Sequence, residues 1–392
     1  MNRRDFFKNA GLAGGATALN NLSLGASPLI PEQTYPFQTK HVIWIMNGNG
    51  SRKKEWYESA NLSPNYARLV KEGFVYTESH NETVSNHGHS WTEAITGNRN
   101  QSSVPLNPTP LHYIRKAYGD QATNYFFVNG VSYYRQWRYD HKYFTLHKDY
   151  GEDTRPVSLT ATHIYWPGMT RTPAQVVEQE FPDMGMTPAE KKQMEEFIEA
   201  TYNARLWDFN LKNAVIPRDP FVGDALGLAV IPHILKTFKP RMIIYQQVGH
   251  DTGHGNGGFL RQQTGYFEYE KVCRSTDEQV GRILDFVKND PYFSKNTAIV
   301  VRPEFGRDDE VTMYGEVNHS DGYYQCCRSA EIWWGPDFKA GKSDQLVNRM
   351  DFVPSITKLF NVDTPYAYGN VHPEMFKDSL GKFPAYRPWT RF

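Results

Sequence analysis

The chain has 392 residues, enough to bury a sizeable core and to form up to three domains, although a single α/β sheet often organises a chain of this length. Lysine plus arginine and aspartate plus glutamate both number 43, so the chain carries no net charge, and no global field draws it to nucleic acid or to an anionic membrane. Three cysteines leave at least one thiol unpaired, and adjacent Cys326 and Cys327 would close a strained ring, so they read as buried thiols, with soft metal ligation near His319 as the alternative.

The first 27 residues pair Arg3-Arg4 with Asp5-Phe6-Phe7-Lys8 and a weakly apolar Gly/Ala/Leu stretch that ends in small residues near Gly25 to Ser27. This pattern resembles a twin-arginine export signal, which predicts a periplasmic or extracellular protein folded before export, with any cofactor already seated. No later apolar run is long enough to span a membrane. Residues 28–392 then read as one domain.

After a proline-bearing linker, His41 to Met46 is a buried strand that breaks into Asn47-Gly48-Asn49-Gly50, which delivers Asn47 to the carboxyl edge of a sheet. Ser63-Pro64 starts a helix with Tyr66, Leu69 and Val70 on its apolar face, Gly73 stops it, and Phe74 to Tyr76 is a second strand. Polar residues His80 to Ser90, including His87 and His89, precede a helix from Trp91 to Thr96 capped by Gly97. Unpaired N–H groups at such a helix start favour a tetrahedral oxyanion.

Residues 101–219 read as an insertion or lid between core elements. It contains an aromatic patch (Tyr133, Tyr134, Trp137, Tyr139, Tyr143, Phe144) and two helix starts of the capping-box type, Thr172 to Gln175 and Thr187 to Glu190. A helix near Asp224 to Phe238 follows, then the short strand Met242 to Tyr245 and the glycine-rich stretch Val248 to Gly258. His250 and His254 lie in that stretch. Gly255, Gly257 and Gly258 favour a loop wrapped around an ion over a helical turn, and neutral imidazole is the usual ligand of zinc and similar metals.

Val280, Ile283, Leu284 and Val287 recur at helical spacing, and Asn296 to Val301 is the next parallel strand, ending in Arg302-Pro303-Glu304-Phe305-Gly306-Arg307. Glu331 to Pro336 gives a further strand, and Phe352, Ile356 and Leu359 mark a last helix.

In their order and spacing these segments resemble the alkaline phosphatase and sulfatase superfamily over roughly His41 to Val371. The carriers are strand one with Asn47-Gly48, Ser63 to Glu82, Thr96-Gly97, VGHDTGH at Val248 to His254, Ser275 to Asp290, NTAIVVRPEFGR at Asn296 to Arg307, Ile332 to Gly341 and Met350 to Val362. The chain is also similar to exported bacterial relatives with Glu-Phe-Gly-Arg where phosphatases have Asp-His-Gly. The resemblance implies an α/β fold with a central, mostly parallel sheet, helices on both faces and a metal site at the carboxyl ends of the strands.

The positions of one family metal read His250, His254 and His319 here; those of the other read Asn47, Glu304 and Phe305, and so lose most of their ligands. The nucleophile position becomes His87. No C-x-P-x-R signature is present, which argues against a formylglycine sulfatase.

The resemblance therefore implies an exported hydrolase of phosphate or sulfate esters, small anionic or glycan-linked, that depends on a divalent transition metal: zinc, with iron or copper as alternatives. His250, His254 and His319 would hold the ion, Glu304 and Asn47 would position the partner oxygen or contribute ligands, and His87 is either ligand or nucleophile. The alternatives are a histidine-rich single-metal protein without ester hydrolysis, with His87 and His89 as further ligands, and a degenerate binding protein.

Overall fold

The computed structural model describes residues 34–47, 50–81, 85, 87–99, 107–129, 147, 149–150, 154–160, 171–181, 185–204, 220–247, 249–250, 266–311, 313, 317–319 and 324–386. The export-signal segment, His254 and the aromatic patch of residues 133–144 lie outside them.

Among the described residues, eight strands form one sheet in the order β4-β3-β5-β1-β6-β7-β2-β8. In chain order they are β1 (His41–Asn47), β2 (Phe74–His80), β3 (Tyr125–Asn129), β4 (Val157–Thr160), β5 (Met242–Gln246), β6 (Thr297–Pro303), β7 (Arg328–Trp334) and β8 (Gly341–Asn348). All pairings are parallel except those of β7, which runs antiparallel to both β6 and β2.

β1 shows why the sheet is covered on both faces. Ile43 and Ile45 enter one apolar core while Val42, Trp44 and Met46 enter the other, as the two-residue period of a strand requires. Each such side chain contributes roughly 1.5–3 kcal/mol by leaving water. One core receives helices α1 (Pro64–Glu72) and, from the later chain, the apolar face of Tyr266–Asn289; the other receives His87–Thr96 and Phe352–Lys358. These three are α2 (His87–Thr96), α3 (Tyr266–Asn289) and α4 (Phe352–Lys358).

Several expectations change in detail. The segment read as an insertion supplies β3 and β4 to the sheet itself, paired in parallel on the far side of β5. Its capping boxes form as read: Thr172 caps Gln175, and Thr187 caps Glu190. The helix expected over Asp224 to Phe238 is two, Pro220–Ala229 and Ile231–Phe238, because Pro232 lacks an N–H and belongs in a first turn. α2 begins four residues before Trp91, so His87 opens the helix instead of preceding it. Its first turn is polar and carries no apolar period to reveal the start.

β8 went unseen because an edge strand that buries only Val347 and Asn348 leaves no alternating signal. Strands β1 and β2 follow each other in sequence but have two strands, β6 and β7, between them. No helix among the described residues is long and apolar enough to cross a membrane.

Candidate functional site

β5, β1 and β6 lie side by side and run the same way, with Met46 opposite Gln246 and Asn47 opposite Pro303. Their carboxyl ends therefore bring Asn47, the loop before His250, and Glu304 to one edge of the sheet. Glu304 donates its backbone N–H to the Asn47 carbonyl at 3.2 Å, and Gln247 does the same to Met46 at 2.9 Å.

Asn47 is fully buried and accepts at Oδ1 from the Tyr66 hydroxyl at 2.9 Å. Burial, followed by the nearby Asp277 carboxylate, pushes the Tyr66 phenol well above its ordinary value, so it stays protonated and donates. The Asn47 amide nitrogen has no hydrogen-bond partner among the described residues. Tyr66 is aimed by a cap from another helix: Asp277 of α3 accepts from the backbone N–H groups of Asn65 and Tyr66, at 3.0 and 2.8 Å, at the start of α1. Ser63 makes no side-chain cap there.

His250 is buried, and its Nδ1 lies 3.0 Å from Ser51 Oγ. Asp224 holds the loop just before it, accepting from the Gly249 N–H at 2.6 Å. His319 is half-buried, its ring centroid 4.6 Å from that of Phe305, and its Nδ1 lies 3.2 Å from the Ser85 carbonyl oxygen. A carbonyl only accepts, so Nδ1 carries the proton and Nε2 of neutral His319 carries the lone pair.

An imidazole fixed through one nitrogen by a carbonyl or hydroxyl is the usual arrangement of a metal-bound histidine. The donor chemistry at His250 and His319 therefore fits a nitrogen-ligated transition metal. Among the described residues no three His, Cys, Asp or Glu side chains could hold one ion together. His254, the third expected ligand, lies outside those residues, as does the side chain of His87; His89 is half-buried on α2. Phe305, the residue that the resemblance sets at a second metal position, packs against the first strand's loop: a Cβ on Gly50, at φ +77°, would come within 2.4 Å of the Phe305 ring.

Sequence reading missed the charged layer behind this edge. Arg302, Arg307 and Arg349 are all buried. Arg302 pairs with Glu331 at 3.1 Å and reaches Ser79 Oγ at 3.3 Å. Burial lowers Arg302 to about 10 and raises Glu331, so the pair remains ionic but desolvated. Arg349 binds the Glu304 carbonyl and the Glu93 carboxylate of α2. An Arg inside the apolar run TAIVVRP and a Glu inside AEIWW were the available signals. None of the three cysteines forms a disulfide; Cys273 and Cys326 are buried and Cys327 is half-buried.

No family model and no curated protein matches the sequence. Solved structures do. Wild-type alkaline phosphatase PafA aligns over 86% of this chain and 99% of its own, with a TM-score of 0.52 at 10% identity. A PafA variant gives a TM-score of 0.54 at 11% identity, again over 86% and 99%. The chain thus has the fold of alkaline phosphatase PafA. The lipoteichoic acid synthase LtaP from Listeria monocytogenes is a further neighbour, at TM-score 0.50 and 10% identity over 84% of this chain and 74% of that one. At such identities the likeness lies in the chain path, and the chemistry rests on this chain's own side chains.

Proposed function

We propose that the chain is an exported, metal-dependent hydrolase of phosphate or sulfate esters. The observation that carries this reading is the convergence of Asn47, His250 and Glu304 on the carboxyl ends of three neighbouring parallel strands, where open α/β sheets bind ligands. His250 and His319, with their Nδ1 atoms engaged by Ser51 and Ser85, would hold a divalent transition metal, zinc, iron or copper, together with His254. Such an ion supplies Lewis acidity and a water of lowered pKa.

The chain's own residues do the remaining work. Asn47, its oxygen occupied by Tyr66, presents its amide N–H to an anionic substrate oxygen. Glu304, its backbone held by Arg349 and by the Asn47 carbonyl, would supply a buried carboxylate for proton transfer. The start of α2 at His87 directs backbone N–H groups towards negative charge. Phe305 and the bond between Asn47 and Tyr66 favour one metal over two.

The test is elemental analysis of protein exported in its native host, combined with a panel of phosphate and sulfate esters, for the native chain and His254→Ala. Stoichiometric metal and turnover, both lost in the variant, support the reading. Metal retained without turnover favours a histidine-rich metal protein that hydrolyses no ester, and neither metal nor turnover leaves a binding protein. Export is tested by replacing Arg3 and Arg4 with lysine, which should hold precursor in the cytoplasm.

A further inference from the structure

Beside the site, the loops that follow β1 and β6 and the start of β7 enclose a cleft of about 300 Å³. Arg52, Lys53, Lys54, Arg307 and Arg328 line it. Two carboxylates, Glu58 and Asp309, share the wall.

Two further carboxylates stand behind the lining and hold its cations in place. Glu55 pairs with Arg52, whose Nε lies 2.9 Å from Oε2. Glu78 takes Arg328 in a two-pronged bond, 2.9 and 2.6 Å, and Lys53 at 3.0 Å. Five cations thus face four carboxylates, a surplus of one positive charge, and Lys54 is exposed, with no hydrogen-bond or ion-pair partner among the described residues. Arg328 spends Nε and Nη2 on Glu78, which leaves Nη1 turned away from that carboxylate. Donors fixed in advance lose little entropy when they bind an anion.

The cleft is tied to the site. Arg307 donates from Nε to the Gly50 carbonyl at 2.9 Å and from Nη1 to the Val317 carbonyl at 2.6 Å, so it clamps the chain three residues past Asn47 and two before His319. It also lies three residues from Glu304, a chain length of at most about 10 Å. The cleft and Glu304 thus share one loop.

We infer that this cleft is a second anion site, taking a sulfate or phosphate group remote from the scissile ester, so that the substrate carries at least two anionic groups. The substrate clause rests on the proposed function; the anion site does not.

The experiment is amine footprinting by mass spectrometry on the full folded chain, titrated with inorganic sulfate, inorganic phosphate, or sodium chloride of matched ionic strength. Sulfate or phosphate should protect Lys54 saturably and leave exposed Lys295 reactive, and the stronger of the two identifies the group. Arg328→Gln should move half-protection to about tenfold higher anion, the loss expected of one charge-assisted bond. Gln325 also lines the cleft, and Gln325→Glu, which removes no hydrogen bond of the wall, should weaken protection in the same direction and guards against misfolding of the first variant. Parallel loss of reactivity at Lys54 and Lys295, or equal protection by chloride, would overturn the anion site.

Where an ester is turned over, Gln325→Glu should raise KM several-fold for a doubly anionic ester and leave KM for a singly anionic one unchanged. Equal KM changes would overturn the substrate clause. Protection without any turnover would defeat the proposed hydrolase while leaving the anion site in place.

Discussion

Arg349 donates from Nη1 to the backbone carbonyl of Glu304 at 2.8 Å and, through its second amino group, pairs with the Glu93 carboxylate. One fully buried guanidinium thus joins the helix that His87 opens to the loop that carries Glu304.

Removing Arg349 leaves the buried Glu93 charge without its ion-pair partner. Arg349→Ala should therefore cost about 3–5 kcal/mol of unfolding free energy, the usual penalty for breaking a buried pair from one side. Arg349→Lys should cost less, because it keeps the charge and loses the fork. Urea denaturation of both variants measures this, and a loss under about 1 kcal/mol for the alanine variant would contradict the role assigned to the pair.

Ser51 fixes His250 through Nδ1 at 3.0 Å. If His250 is a metal ligand, Ser51→Ala should weaken metal affinity by about 10–100-fold, the usual effect of deleting an outer-shell partner, with little change in melting temperature. Competition with a metal-binding dye reads the affinity; unchanged affinity would remove His250 from the ligand set.

Burial pushes the Glu78 carboxyl up, but the bonds from Arg328 and Lys53 outweigh it and pull it down to about 2. A carboxyl depressed in the fold binds its proton more readily in the unfolded chain. Its stabilising contribution is fully present above roughly pH 4.5 and disappears as pH falls towards about 2. Glu78→Gln should flatten the acid limb of stability in that window and lower stability at neutral pH. An acid limb of unchanged slope would refute the assignment.

His372 is fully buried, 3.6 Å from Glu331, and burial pushes it down to about 3, with Arg302 acting in the same sense. The unfolded chain takes up this proton near pH 6.5 and the folded chain does not, so stability falls as pH drops from about 6.5 to about 3. His372→Phe, which keeps a ring among Tyr76, Trp333 and Tyr386, should make stability less dependent on pH over that range. Equal slopes for both proteins, measured by denaturation at several pH values, would show that His372 is protonated in the fold.

The sequence alone determined the strands that are apolar on both faces, β1, β5 and β6, and the polar residues that must follow them. A short buried run that breaks into Asn-Gly, or into Pro-Glu-Phe-Gly, has few ways to satisfy its backbone, and Asn47, His250 and Glu304 fall at the strand ends as read. Local chemistry likewise fixed the two capping boxes and the left-handed Gly97, at φ +62°, that closes α2. Only the tertiary structure decided that the stretch taken for an insertion completes the sheet, since pairing of β3 with β5 joins residues more than a hundred positions apart. The same holds for Asp277 capping α1, Ser51 reaching His250 and Arg349 bridging Glu93 to Glu304. Each of these contacts depends on side chains from distant elements meeting in space, and spacing along one chain carries no record of them.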